Sequence, residues 1–170
     1  MAGFTERMVG AATLNIATYE EVEHDQTATG QAAGVVALVA IAGAIGSYGM
    51  GGLVGSIGQL VSAFIGWVVW SAVTLLIGTK VFGGTADMGE MLRTLGFAQS
   101  VGVVKILGII PLLGWIAGLA AGLWMLVCGV VAVRQALDFT TGKAIGTVIL
   151  GWLAMMALAV LVGGVFGAFS

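Results

Sequence analysis

A carboxylate and an imidazole one helical turn apart can share a divalent metal, and Glu21 and His24 have that i, i+3 spacing. A di-metal bundle site needs a second such pair and further carboxylates on facing helices, and His24 is the only histidine of the chain. The ligand set is therefore incomplete, although the imidazole would equally suit a pigment or haem in a larger assembly. The simpler expectation is an acidic surface in which Glu20, Glu21, Glu23 and Asp25 meet solvent and a protein partner.

The second chemical candidate is Lys105, an ammonium set inside an otherwise apolar run, where charge is costly and therefore functional by default. With Gln59 and Gln99 it would line a polar path for a proton or ion. The competing reading is structural, because Pro111 lies only about 9 Å further along a helix and the lysine stem could snorkel to that interface. Catalysis has no positive sign: no serine or cysteine has a recognisable base, no phosphate-cradling glycine loop follows a strand, and no zinc ligand set exists. No catalytic residue and no cofactor is expected.

These side chains belong to a chain of 170 residues that is 59% hydrophobic and 8% charged, with a mean hydropathy of +1.12. Soluble domains carry about a quarter charged residues, so lipid is the main solvent here. Between Asp25 and Lys80 roughly 54 residues pass without a charged side chain, more than twice the about 20 that cross a bilayer core, so this segment enters lipid and returns. The apolar runs lack the alternation of barrel strands. The expected fold is all-α, an integral membrane bundle of five transmembrane helices preceded by short N-terminal interfacial helices.

Residues 1–26 form an amphipathic acidic lead, in which Thr18 and Glu21 suggest a capping box. Residues 27–170 form the membrane domain, with spans near 27–48, 57–79, 94–111, 112–133 and 144–166. Asp25 is placed to cap the first span, Asp87 with Glu90 starts an amphipathic helix that leads into the third, and Gly49, Gly51, Gly52 and Gly55 make an uncharged turn. The first apolar run follows a polar lead, not a short basic one, so no cleaved signal peptide is expected. Cys128 stands alone in an apolar run and suits a small buried role. Five spans place Arg7, Lys80, Arg93, Arg134 and Lys143 on one side, which the positive-inside rule makes cytoplasmic, with the C terminus opposite.

Lipid gives helices no hydrophobic reason to associate, so small residues that allow close backbone approach take over. Gly114, Gly118 and Gly122 repeat at four-residue spacing, as do Gly30 with Gly34, Gly142 with Gly146, and Gly163 with Gly167. Such stripes serve packing within the bundle or docking of a partner or second copy.

Two stretches, GGTADMGEMLRTLGFAQS (83–100) and IIPLLGWIAGLAAGLWMLVCGVVAVRQALDFTTGKAIGTVI (109–149), together with the lead RMVGAATLNIATYEEVEHDQTATGQA, resemble the bacterial branch of the Yip-domain family. These membrane proteins are related to the Ypt/Rab-interacting proteins of vesicle traffic. Val101 stands where bacterial relatives often have proline. The resemblance implies five spans, a cytoplasmic N terminus in a bacterial cytoplasmic membrane, and no catalytic residue. The expected function is a non-enzymatic membrane-organising adaptor or accessory subunit that contacts lipid and other membrane proteins or copies of itself. Its acidic lead excludes nucleic acid. A small transporter or channel using Lys105 is the alternative.

Overall fold

The computed structural model describes residues 2–47 and 52–167. Seven α-helices and one 3-10 helix make up the described residues: α1 (Phe4–Ala12), α2 (Ile16–His24), α3 (Ala28–Gly46), α4 (Gly52–Lys80), α5 (Met88–Ala98), a 3-10 helix (Gln99–Ile109), α6 (Pro111–Ala136) and α7 (Thr141–Gly167). Five stretches are long and apolar enough to cross a membrane: Ala28–Gly46, Val54–Lys80, Met88–Ile109, Leu112–Ala136 and Thr141–Leu161. The all-helical membrane bundle read from composition is the observed architecture.

Helix limits follow local chemistry. Asp87 accepts the Glu90 amide at 2.8 Å while Glu90 accepts the Asp87 amide at 2.8 Å, so the capping box that opens α5 is complete. Pro111, which has no amide hydrogen to leave unpaired, occupies the first turn of α6. Two expectations need correction. Asn15, not Thr18, caps α2, accepting the Ala17 amide at 3.0 Å, because the helix begins a turn earlier and absorbs Thr18. The start of α4 at Gly52 likewise precedes the expected turn at Gly55; Tyr48, Gly49 and Gly51 lie outside the described residues.

The third span differs most from its expected limits. It begins at Met88 and joins the amphipathic α5 directly to eleven residues of 3-10 helix. Val101, Val103, Val104, Gly102 and Gly108 crowd that segment with β-branched residues and glycines, which are weak α-formers. A 3-10 helix rises about 2.0 Å per residue against about 1.5 Å for an α-helix, so a short segment still crosses.

This span is also the least apolar and the most enclosed, packing against α1, α2, α3, α4 and α6. Its neighbours shield Arg93, Thr94 and Ser100, all buried, while α4, α6 and α7 turn Ile65, Leu119, Leu123 and Trp152 outward, as a bundle dissolved in lipid requires. One continuous core joins Tyr19 and Val22 of α2 to Val35 of α3, Phe97 of α5 and Val133 of α6. The lead is thus packed into the membrane domain. On one side of the third span, α1 reaches α3 and α2 reaches α6.

Contact between the third span and α3 is made through glycine. A Cβ on Gly96 would lie 2.8 Å from the Ala32 Cβ, one on Gly102 2.5 Å from a Val39 methyl, and one on Gly108 2.5 Å from the Gly46 carbonyl oxygen. A Cβ on Gly46 would collide with the Lys105 carbonyl. The third span contributes every sixth residue, 96, 102 and 108, while α3 contributes every seventh, 32, 39 and 46. Gly96 closes α5 while Gly102 and Gly108 lie in the 3-10 helix, so six residues of the third span rise about 11 to 12 Å against about 10.5 Å for seven of α-helix, and the two series stay nearly in step.

Candidate functional site

The polar side chains gather at one end of the bundle. Arg7, buried at 1% exposure, donates to Glu21 at 2.9 Å, to Asp25 at 2.6 Å and to Gln31 of α3 at 3.1 Å. Asp25 also accepts the Thr27 amide at 3.0 Å, so it serves the start of α3 while it holds α1. Arg93 of α5 donates to the Val22 and Glu23 carbonyls at 3.0 Å each, placing a cation on the last turn of α2, where the helix dipole favours one. Gln135 donates to Glu20 at 3.1 Å, Lys143 to the Phe82 carbonyl at 3.1 Å, and Thr85 pairs with Asp138. These bonds tie the lead to α3, α5 and α6 and join the two polar loops to each other. Arg7, Lys80, Arg93, Arg134 and Lys143 therefore share one end.

Charge and burial set the titration of the lead. The hydrogen bond from Arg7 holds the Glu21 carboxyl below its ordinary value, and bonds first from Thr27 and then from Arg7 do the same for Asp25. Burial alone would lower Arg7, but its bonds to Glu21 and Asp25 outweigh that and raise it. Burial pushes Glu23 up to about 7, helped by Glu90, Asp138 and Glu20 and opposed by His24. His24 itself is raised, first by donating from Nδ1 to the Glu20 carbonyl at 2.9 Å and then by Glu23. Burial, with Cys128 nearby, keeps the Tyr19 phenol neutral while its hydroxyl donates to the Ala11 carbonyl at 3.0 Å.

A raised carboxyl binds its proton more tightly in the docked state, so docking is favoured below the ordinary range near 4.5 and is weakened as pH climbs towards 7. Glu23→Gln removes this dependence. It is expected to strengthen docking of the lead at pH 8 by roughly 3 kcal/mol while changing little at pH 4.5. Protease protection of the lead as a function of pH measures both.

The four acids expected to meet a partner differ in their environments. Glu20 is exposed, Glu21 and Asp25 face Arg7, and Glu23 is buried at 7% exposure. Glu21 and His24 turn to separate partners, Arg7 with the Ala2 amide and the Glu20 carbonyl respectively. Among the described residues no three His, Cys, Asp or Glu side chains come together as metal ligands.

Lys105 and Gln99 line one cavity of about 510 Å³ together with Trp67, Trp70, Leu95 and Trp152. Gln59 does not line it; this residue flanks Gly43 of α3, where the Lys105 stem also passes. Both Gln59 and Lys105 are exposed at the outer surface of the bundle.

Of the glycines singled out by four-residue spacing, Gly114 lies against the Leu107 and Gly108 backbone, Gly146 faces the Phe82 ring and Gly34 the Phe4 ring. Around Gly30, Gly118, Gly122 and Gly142 a Cβ would meet nothing within 4 Å. Gly163 and Gly167 fall outside the residues whose surroundings are described. Sequence reasoning missed Gly46, Gly96, Gly102 and Gly108, which make the contact between the third span and α3. Their signal is a repeat of six facing a repeat of seven, invisible to a search at four.

Five apolar spans, a third span packed among its neighbours and an ion-paired polar end define a polytopic helical membrane protein, with no cluster of metal-ligating side chains among the described residues. The Yip1 domain model matches residues 12–163, most of the chain, and the protein belongs to that family, which is not a family of enzymes. No curated protein and no solved structure matches it.

Proposed function

We propose that this protein is a non-enzymatic membrane-organising adaptor or accessory subunit, of the bacterial branch of its family, which docks other membrane proteins or a second copy of itself. The observation that carries this reading is the pinned polar end: Arg7, Arg93 and Gln135 fix the lead to the spans, giving a preorganised face with Glu20 outward. A fixed face suits recognition better than a mobile tail. The positive-inside rule places this end, with the N terminus, in the cytoplasm and the C terminus across the bacterial membrane. Gly118 and Gly122, the latter at the rim of the cavity, leave α6 open to close approach by a partner helix.

Native mass measurement in lipid nanodiscs tests the reading. The expected result is a stoichiometric oligomer or complex, lost on Gly118→Leu or weakened by Glu20→Lys without unfolding the bundle. A clean monomer with reproducible solute flux would instead support a transporter using Lys105 and Gln99.

A further inference from the structure

Helices α1 and α2 form an antiparallel hairpin with an uneven distribution of charge. Residues 8–18, covering the second half of α1, the turn and the start of α2, contain no ionisable side chain, whereas Arg7 and the acids 20–25 lie at the open end. Val9 is 58% exposed and Ile16 42% exposed at this apolar tip. Three bonds to α6 fix its depth. Gln135 meets Glu20, Cys128 Sγ lies 3.7 Å from the Ala11 carbonyl, and the Trp124 indole donates to the Ala12 carbonyl at 2.7 Å. Along α6, Cys128 and Trp124 lie about 10 Å and about 16 Å beyond Gln135. That is a third to a half of a hydrocarbon core about 30 Å thick.

A turn at such depth must satisfy its own polar groups, because acyl chains cannot. This one does. The Thr13, Leu14 and Asn15 amides donate to the carbonyls of Val9, Ala11 and Gly10, and the Thr18 amide to that of Asn15. The Ala17 amide is taken by the Asn15 side chain, and the Thr13 hydroxyl donates back to Val9 at 2.9 Å. Tyr19 and Trp124 serve the last carbonyls of α1.

We propose that the α1–α2 hairpin is re-entrant, with its tip inserted among the acyl chains of the leaflet on the charged side, so that lipid is the partner of Val9 and Ile16. This goes beyond an interfacial lead and is independent of the adaptor reading. It gives the protein two extra helices in one leaflet only.

The test uses the full chain carrying Cys128→Ala, with Val9→Cys, Ile16→Cys or Glu20→Cys, in vesicles of phosphatidylethanolamine and phosphatidylglycerol. Fluorophores at residues 9 and 16 are expected to be quenched by lipids with nitroxides on the acyl chain and spared by aqueous iodide, with the reverse at residue 20. Unmodified thiols at 9 and 16 should react with a membrane-impermeant maleimide about tenfold more slowly than at 20, because acyl chains exclude the reagent and suppress the thiolate. This second readout needs no attached dye. Equal iodide quenching and equal maleimide rates at all three positions, on protein whose α-helical circular dichroism is unchanged, would overturn the proposal.

Discussion

Gly108→Val is expected to destabilise the bundle by upwards of about 4 kcal/mol, the largest effect of any single substitution considered. The reason is the crossing of the third span with α3, where a Cβ on Gly108 would sit 2.5 Å from the Gly46 carbonyl oxygen, 2.8 Å from its carbon and 3.0 Å from its Cα. All three are backbone atoms. No rotamer change relieves the overlap, so two helices must separate, and the Gly102–Val39 contact two turns away loosens with them. Gly118→Val provides the control, since its added atoms meet nothing within 4 Å, and within the monomer it should stay within about 0.5 kcal/mol of the parent. Reversible unfolding in mixed micelles compares the two directly. Equal stability of the variants would show that the six-against-seven glycine register does not hold the bundle together.

Arg7→Met is expected to release the lead from the bundle at a cost of about 3 kcal/mol, because it leaves two carboxylates and the Gln31 carbonyl facing a position that no longer donates. The methionine fills much of the volume, so lost pairing and not lost packing dominates. In the parent, Glu21 and Asp25 have lowered values, so their contribution is present above the ordinary carboxyl range and disappears as pH falls through the lowered one. Glu23 acts in the opposite sense between about 4.5 and 7. Docking of the lead should therefore be strongest near pH 4 to 5. In Arg7→Met the acid limb of that profile shrinks to what the Thr27 bonds to Asp25 and the Ala2 amide on Glu21 sustain, and the Glu23 limb remains. Protease protection across pH reads both, and an unchanged acid limb would show that Arg7 does not anchor the lead.

Much of the architecture was legible because hydropathy and capping are local. Long uncharged runs gave four of the five spans, Asp87 with Glu90 gave the start of α5, and Pro111 gave the start of α6. What escaped notice depends on pairs of residues distant in sequence. Cys128 is buried as its apolar run suggests, but nothing local shows that it and Trp124 each meet a carbonyl of α1 more than a hundred residues away. Glu23 read as solvated, but the arrival of α5 with Arg93 buries it. The third span was expected to start near 94, but the amphipathic α5 is itself taken into the bundle, so the span starts at Met88. Glycines at a spacing of four include Gly114 and Gly146, which make contacts, but also Gly118 and Gly122, which meet nothing within 4 Å, whereas the third span meets α3 through Gly96, Gly102 and Gly108 at a spacing of six.

The account depends on five crossings that gather the lead and the loops at residues 83–87 and 137–140 on one face. Single cysteines replacing Glu20, Thr85, Asp138 and Ser47 in the Cys128→Ala chain test this directly in sealed vesicles of uniform orientation. An impermeant maleimide is predicted to label 20, 85 and 138 from the same side and 47 only from the other. Labelling of 138 and 47 from one side would contradict the arrangement.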